Sequence, residues 1–263
     1  QQVPARHPVI GPMVRSLFLP EEGELWAAND FSAQEPRLLI HYAKLLGLEG
    51  ADVMAQAYHD DPETDFHQMV ADMADITRKQ AKTIGLGLMY GMGKAKLAIQ
   101  LDMAVEEAAE LIQTFHAKVP FLKGTIFAVQ KRIENPSSGG SIRTLLGRKC
   151  RFPLWEPMQW GINKALPREE ASAKYGPRIK RAMTYKGLNK LIQGSAADQT
   201  KKGMVELHKA GYNMLLAVHD EVAISVKTKE EAEAAAEIMK HAVALEVPSK
   251  IDVEAGPTWG SAE

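Results

Sequence analysis

The sequence predicts an α+β fold in which both ends of the chain build an antiparallel sheet and a helical stretch is inserted between them. Three observations lead there. A short apolar run at residues 24–30 ends on an aspartate, and two β-like runs at 213–226 flank His219-Asp220. Between residues 50 and 134, apolar side chains recur at steps of three and four, with no strand-like alternation. With 263 residues, 45% apolar and 25% charged, the chain has ample core for one large domain or two small ones.

The elements follow in order. Residues 1–20 hold four prolines and read as extended chain or loop. Residues 24–30 read as a buried strand ending at Asp30. Ser32-Ala33-Gln34-Glu35 matches a capping box, with Ser32 as N-cap and Glu35 at the third helical position. Pro36 is tolerated there because first-turn amides lack intrahelical partners, and the helix is expected to run through Arg37 to about Leu46. Asn135-Pro136-Ser137-Ser138-Gly139-Gly140 is the clearest loop. Residues 213–226 read as a hairpin with a tight His219-Asp220 turn, and 229–247 as an alanine-rich amphipathic helix packing on the core.

The formal net charge of -1 argues against nucleic-acid binding, but its distribution argues for it. Eight acids and no Lys or Arg lie between residues 49 and 75. Fourteen bases and four acids lie between 141 and 202, an excess of ten positive charges (14 − 4). Such an excess suits a surface that tracks phosphates, although a solvated helix face produces charge runs as well. No apolar run approaches the ~20 residues of a membrane span, and no signal peptide is visible. The chain starts at Gln1 within what reads as a loop, as a fragment of a longer protein would. A lone Cys150 excludes an internal disulfide and a multi-cysteine zinc site.

Chemistry is suggested by Arg78-Lys79-Gln80-Ala81-Lys82-Thr83, running on to Gly87, Tyr90 and Gly91. Arg78 and Lys82, one turn apart, share a helical face, and Tyr90 falls ~120° around from Arg78. That face can present cations to phosphates and a ring to a base. Asp30 at a strand end and Asp220 at a hairpin tip are, singly, no more than a residue before a cap and a turn-former. Together they suit Mg2+, which takes hard oxygen ligands and few of them from protein.

In order and spacing, these segments resemble motifs A, B and C of family A DNA polymerases, the bacterial polymerase I type. Asp30, Ser32, Glu35 and Arg37 match motif A; Arg78, Lys82, Gly87, Tyr90 and Gly91 match motif B; His219-Asp220-Glu221 matches motif C. Asp65-Phe66-His67, Thr144-Leu145-Leu146-Gly147-Arg148, Asn189 with Gln193-Gly194-Ser195-Ala196-Ala197-Asp198, and Gln1-Gln2-Val3-Pro4 extend the likeness over nearly the whole chain. The resemblance implies a right-hand polymerase: an antiparallel-sheet palm from 1–44 and 184–263, and a mostly helical fingers insertion with connecting segments at 45–183. Thumb and exonuclease domains are absent from this stretch.

It further implies template-directed DNA synthesis with two Mg2+ ions, Mn2+ substituting. Asp30, Asp220 and the Phe31 carbonyl are the implied ligands, and Glu221 and Lys82 the implied catalytic helpers. Gln34, Glu35, His67, Arg78, Lys82, Leu86 and Tyr90 are expected around the nucleotide. Arg148, Asn189, Gln193 and His219 are expected on the DNA. The partners implied are primer–template DNA and dNTPs, with no membrane, for a monomer in the cytoplasm of a bacterium or a phage-infected host.

The chain departs from the family pattern in several places. Phe31 replaces the usual Tyr, Ala33-Gln34 stands where Gln-Ile is frequent, and Pro36 is unusual. Leu86 takes motif B's aromatic position, Gly85 replaces a common Asn, and Tyr185 stands where many relatives place an Arg near the primer, with Lys186 as a substitute. These departures suggest a phage-like branch. Two alternatives stay open at this point: a single-subunit RNA polymerase-like enzyme, which Glu35 and the His-Asp-Glu triplet disfavour, and a non-catalytic nucleic-acid-binding remnant, which intact Asp30, Asp220, Arg78 and Lys82 disfavour.

Overall fold

The structure is a computed structural model that describes residues 7–159, 161 and 164–262; Gln1-Gln2-Val3-Pro4 lies outside the described residues. From the N-terminal side come α1 (Ile10–Arg15), β1 (Leu25–Phe31) and α2 (Gln34–Leu45). The helical run follows as α3 (Ala51–Asp60), α4 (Phe66–Ala74), α5 (Arg78–Met89), α6 (Lys94–Leu101), α7 (Val105–Lys118) and α8 (Pro120–Glu134). Then come β2 (Ser141–Arg143), β3 (Lys149–Arg151), β4 (Trp155–Pro157), α9 (Arg168–Tyr175), β5 (Ile179–Arg181) and the long α10 (Gly187–Lys209). The chain closes with β6 (Asn213–Val218), β7 (Glu221–Val226), α11 (Lys229–His241) and β8 (Ile251–Gly256).

The fold is α+β with antiparallel sheets, and it divides into two compact units: Gln1–Leu38 with Ala196–Glu263, and Leu39–Ser195. The first holds a four-stranded sheet in the order β6-β7-β1-β8. One face buries Ala27, Phe31, Val222 and Ile224 beneath Leu207 of α10 and Ala232, Ala235 and Met239 of α11. The other buries Trp26, Ala28 and Ala223, with Trp26 stacked on Trp259 and Phe18 set edge-on to both. Because β1 is covered on both faces, its sequence shows an apolar run rather than alternation.

Three expectations need correction. Residues 1–20 were expected to lack helix, yet Ile10–Arg15 is helical with Pro12 inside its first turn, where a missing N–H costs no intrahelical bond. The capping box at Ser32 does not form. The helix starts at Gln34, Ala33 adopts a left-handed φ of 49°, and the Ser32 N–H pairs with the Lys250 carbonyl as an extension of the sheet edge. Last, α11 ends at His241 rather than at 247.

The second unit is helical apart from two short two-stranded sheets, β2–β3 and β4–β5, the latter pair enclosing α9. Its motif-like stretches do structural work. Ser195, fully buried on α10, shares a 2.7 Å hydrogen bond with the Tyr42 hydroxyl and accepts from the Leu145 N–H. A Cβ on Gly194 would stand 2.6 Å from the Thr144 methyl, so only glycine lets α10 approach the β2–β3 hairpin this closely. Part of the basic excess also donates to backbone carbonyls, from side chains that stay exposed or half-buried. Arg148 donates to the Gly194 carbonyl, Arg143 to that of Gly147, and Arg181 to that of Phe152 while lying over the Trp155 ring. Among the described residues no helix is long and apolar enough to cross a membrane.

Candidate active site

In the first unit, strand pairing brings acids from three segments to one end of the sheet. Asp30 pairs in register with Glu221 of β7 on one side and with Asp252 of β8 on the other, and the Phe31 N–H donates to the Asp220 carbonyl at 3.4 Å. Directly opposed residues in such a ladder have Cα atoms ~4.5–5.5 Å apart. The His219-Asp220 turn that allows this is tight, with His219 in the left-handed region at φ 57° and exposed.

Burial raises the Asp30 carboxyl to about 7, and the negative charges of Asp220, Glu221, Asp252 and Glu254 push in the same direction. Glu221 is raised too, first by burial and then by Glu254, against hydrogen bonding from Trp259 and the charge of Arg15. Asp30 Oδ1 and Glu221 Oε1 are buried without a hydrogen-bond partner. Half-buried, mutually repelling carboxylates with unmet oxygens are the electrostatics that a hard cation relieves. Among the described residues no three His, Cys, Asp or Glu side chains gather tightly enough to hold an ion. The unmet oxygens of Asp30 and Glu221 fit an ion that draws its remaining ligands from water and phosphate, as Mg2+ does.

Asp252 and Glu254 escaped the sequence reading. The alternation of Ile251-Asp252-Val253-Glu254-Ala255 is a strand signal that could have found them. Asp252 also carries a 2.7 Å ion pair with Lys250.

In the second unit, α5 presents the cations. Thr77 caps it, accepting from the Gln80 N–H, while the Gln80 side chain accepts from the Thr77 N–H. Arg78 opens the helix and Lys82 follows one turn later. His67, at the start of α4, has its imidazole pKa lowered by burial and by the charges of Lys82 and Arg78, against the opposing pull of Asp65. These three side chains therefore lie within electrostatic reach of one another.

A cavity of about 760 Å³ is lined by Lys82, Leu86, Tyr90, Lys96, Tyr185 and Lys186, among others. Tyr90 caps the end of α5. The motif B glycines serve this cavity's walls. Gly91 needs its φ of 75°, and a Cβ there would stand 2.6 Å from the Tyr185 ring; one on Gly87 would strike Met92. Gly91→Ala is expected to cost about 1–3 kcal/mol by combined left-handed strain and overpacking. Thermal unfolding checks this, and an unchanged midpoint would contradict it.

Several other expected site residues lie on α2 and α10. Gln34 is buried, and its amide donates to the Ala196 carbonyl, Gln199 and Thr200, so it serves the packing of α2 on α10. Arg37 is equally internal, donating to the Ser32 and Pro248 carbonyls and so pinning the turn after Asp30. Glu35 sits in the first turn of α2. On α10, Asn189 is half-buried and Gln193 exposed.

A family model described as DNA polymerase family A matches residues 1–261. The chain belongs to DNA polymerase family A. Among its relatives in that family, a "DNA-directed DNA polymerase" of Pseudomonas phage M6 is 41% identical over 99% of this chain and 42% of its own length. The "DNA polymerase I, thermostable" of Thermus aquaticus is 31% identical over 100% of this chain and 30% of its own. The chain thus spans less than half the length of these family A relatives. A solved structure, described as the POL domain of Pol1 from M. smegmatis in complex with DNA primer-template and dNTP, superposes with a TM-score of 0.77 at 27% identity. It covers 99% of this chain and 44% of that one.

Proposed function

We propose that this chain is the nucleotidyl-transfer core of a template-directed DNA polymerase, extending a primer 3′ end with deoxyribonucleotides. The observation that carries the reading is the strand register that sets Asp30 beside Asp220-Glu221, segments from opposite ends of the sequence, in a family A chain. Two Mg2+ ions held by Asp30, Asp220 and the Phe31 carbonyl would neutralise the triphosphate and activate the primer hydroxyl, Mn2+ serving in their place. The chain's own part is to bind and orient. Arg78, Lys82 and His67 grip the phosphates, and Leu86 and Tyr90 wall the base. Glu221 assists from beside the metal-holding aspartates. Arg148, Asn189, Gln193 and His219 meet the duplex, chiefly through its phosphates, so binding weakens steeply with salt.

In this reading the palm comprises 1–44 and 184–263, which include the sheet-bearing unit, and 45–183 forms the fingers with connecting segments. A parent protein would add a thumb. The direct test is magnesium-dependent primer extension by that full-length parent, wild type beside Asp220→Asn, with dNTPs and rNTPs compared. Extension by the wild type on dNTPs alone, lost in the variant, supports the reading; equal use of rNTPs would favour the RNA polymerase alternative.

Two specificity predictions follow from single residues. Glu35→Ala is expected to raise ribonucleotide incorporation by opening space at the 2′ position, measured as the ratio of kcat/KM for rNTP and dNTP. Leu86, lining the cavity, offers neither a ring nor a hydroxyl at the position the resemblance makes aromatic. Dideoxynucleotides should therefore terminate chains poorly, and efficient termination at equal concentrations would contradict this.

A further inference from the structure

Asp65 uses its two carboxylate oxygens for two different helices. Oδ1 accepts from the backbone N–H groups of His67 at 2.9 Å and Gln68 at 3.1 Å, which caps α4. Oδ2 accepts from Arg78 Nε at 2.6 Å, at the first residue of α5. Capping needs only the first oxygen, and Asn or Ser would serve equally well. As a stability device the second bond is weak, because the side chains of Arg78 and Asp65 are 51% and 41% exposed and such pairs contribute little. Its consequence is geometric. Holding Nε fixes the plane of the guanidinium and leaves Nη1 and Nη2 without a partner among the described residues. A fork held in this way meets a phosphate having already lost much of its rotamer freedom. Burial raises the Asp65 carboxyl, but the Arg78 hydrogen bond, the two capping N–H groups and the Arg78 charge outweigh it and keep the group ionised.

We infer that Asp65 is a positioning residue for triphosphate binding: through Oδ2 it holds the Arg78 guanidinium in one orientation, and through Oδ1 it fixes His67 beside it. This rests on the polymerase reading above. The distinguishing variant is Asp65→Asn, which retains the capping Oδ1 but replaces Oδ2 with an amide that donates and cannot accept from Arg78 Nε.

The experiment uses the full-length parent and measures both steady-state extension and equilibrium binding of a fluorescent dNTP, which needs no turnover. Asp65→Asn is expected to raise KM for dNTP, and to weaken binding, about tenfold, with kcat changed by no more than about twofold and the melting temperature preserved. In an Arg78→Ala background the same substitution is expected to add less than about twofold, because the two residues act as one unit. Unchanged or tighter dNTP binding in Asp65→Asn overturns the inference, as does a tenfold loss that persists without Arg78. A wild type that binds dNTP but extends no primer would refute the polymerase reading while leaving this coupling measurable.

Discussion

Asp30→Asn is expected to lower primer extension about a thousandfold, equivalent to ~4 kcal/mol of lost transition-state stabilisation, while making the metal-free protein more stable at pH 8. The two effects have one cause. Asp30 is half-buried among Asp220, Glu221, Asp252 and Glu254, and its pKa is raised from 3.8 to about 7. A carboxyl with a raised folded-state pKa binds more protons folded than unfolded, so stability falls as pH rises between those values. Below about pH 4 both forms are protonated and the cost is absent; above about 7 it is present in full. Asparagine removes it.

The variant should therefore melt higher than the wild type at pH 8, with the difference vanishing towards pH 4. Glu221, raised in the same direction, leaves a residual slope in both proteins. Adding Mg2+ at pH 8 should stabilise the wild type more than Asp30→Asn. Equal melting temperatures at pH 8, or a variant that extends primers normally, would remove the reason for placing a cation there.

Lys82→Ala is expected to reduce kcat/KM for dNTP about 10²–10³-fold, the range for removing a preorganised donor from a developing anion, with no loss of stability. Lys82 is exposed and lines the cavity with Leu86 and Tyr90, and its charge is felt by His67. No carboxylate partner for it exists among the described residues, so truncating it strands nothing buried. A solvated lysine on an ordinary helix face would give less than a tenfold change. Steady-state kinetics beside a melting curve separates the two, and Lys82→Arg should recover part of the loss by restoring the charge.

The sequence made most of this legible where the signal was local. The strand ending near Asp30, the helical stretch from 50 to 134, and the hairpin with a tight turn at His219-Asp220 all follow from apolar periodicity and turn chemistry, and the structure has each of them. What failed depended on distant partners. Ser32 and Glu35 carry a capping-box spacing, but the Ser32 N–H is drawn instead to Lys250 at the sheet edge, and Ala33 turns the chain. Gln34 resembled a site residue by its position after Asp30; its three acceptors all lie on α10, which no local pattern announces. Asp252 and Glu254 sit on a strand that its alternation could have announced, but their place beside Asp30 is set by the pairing of β8 with β1. Arg181 read as part of a phosphate-tracking surface, yet it is spent on Trp155 and the Phe152 carbonyl.

The claim on which the rest depends is that Asp30 and Asp220 jointly hold a catalytic divalent cation. Mn2+ binding to the full-length parent in the presence of dNTP, followed by electron paramagnetic resonance for wild type, Asp30→Asn and Asp220→Asn, tests it most directly. Tight binding by the wild type that is lost in each single variant is the predicted result; wild-type affinity retained in either variant would contradict it.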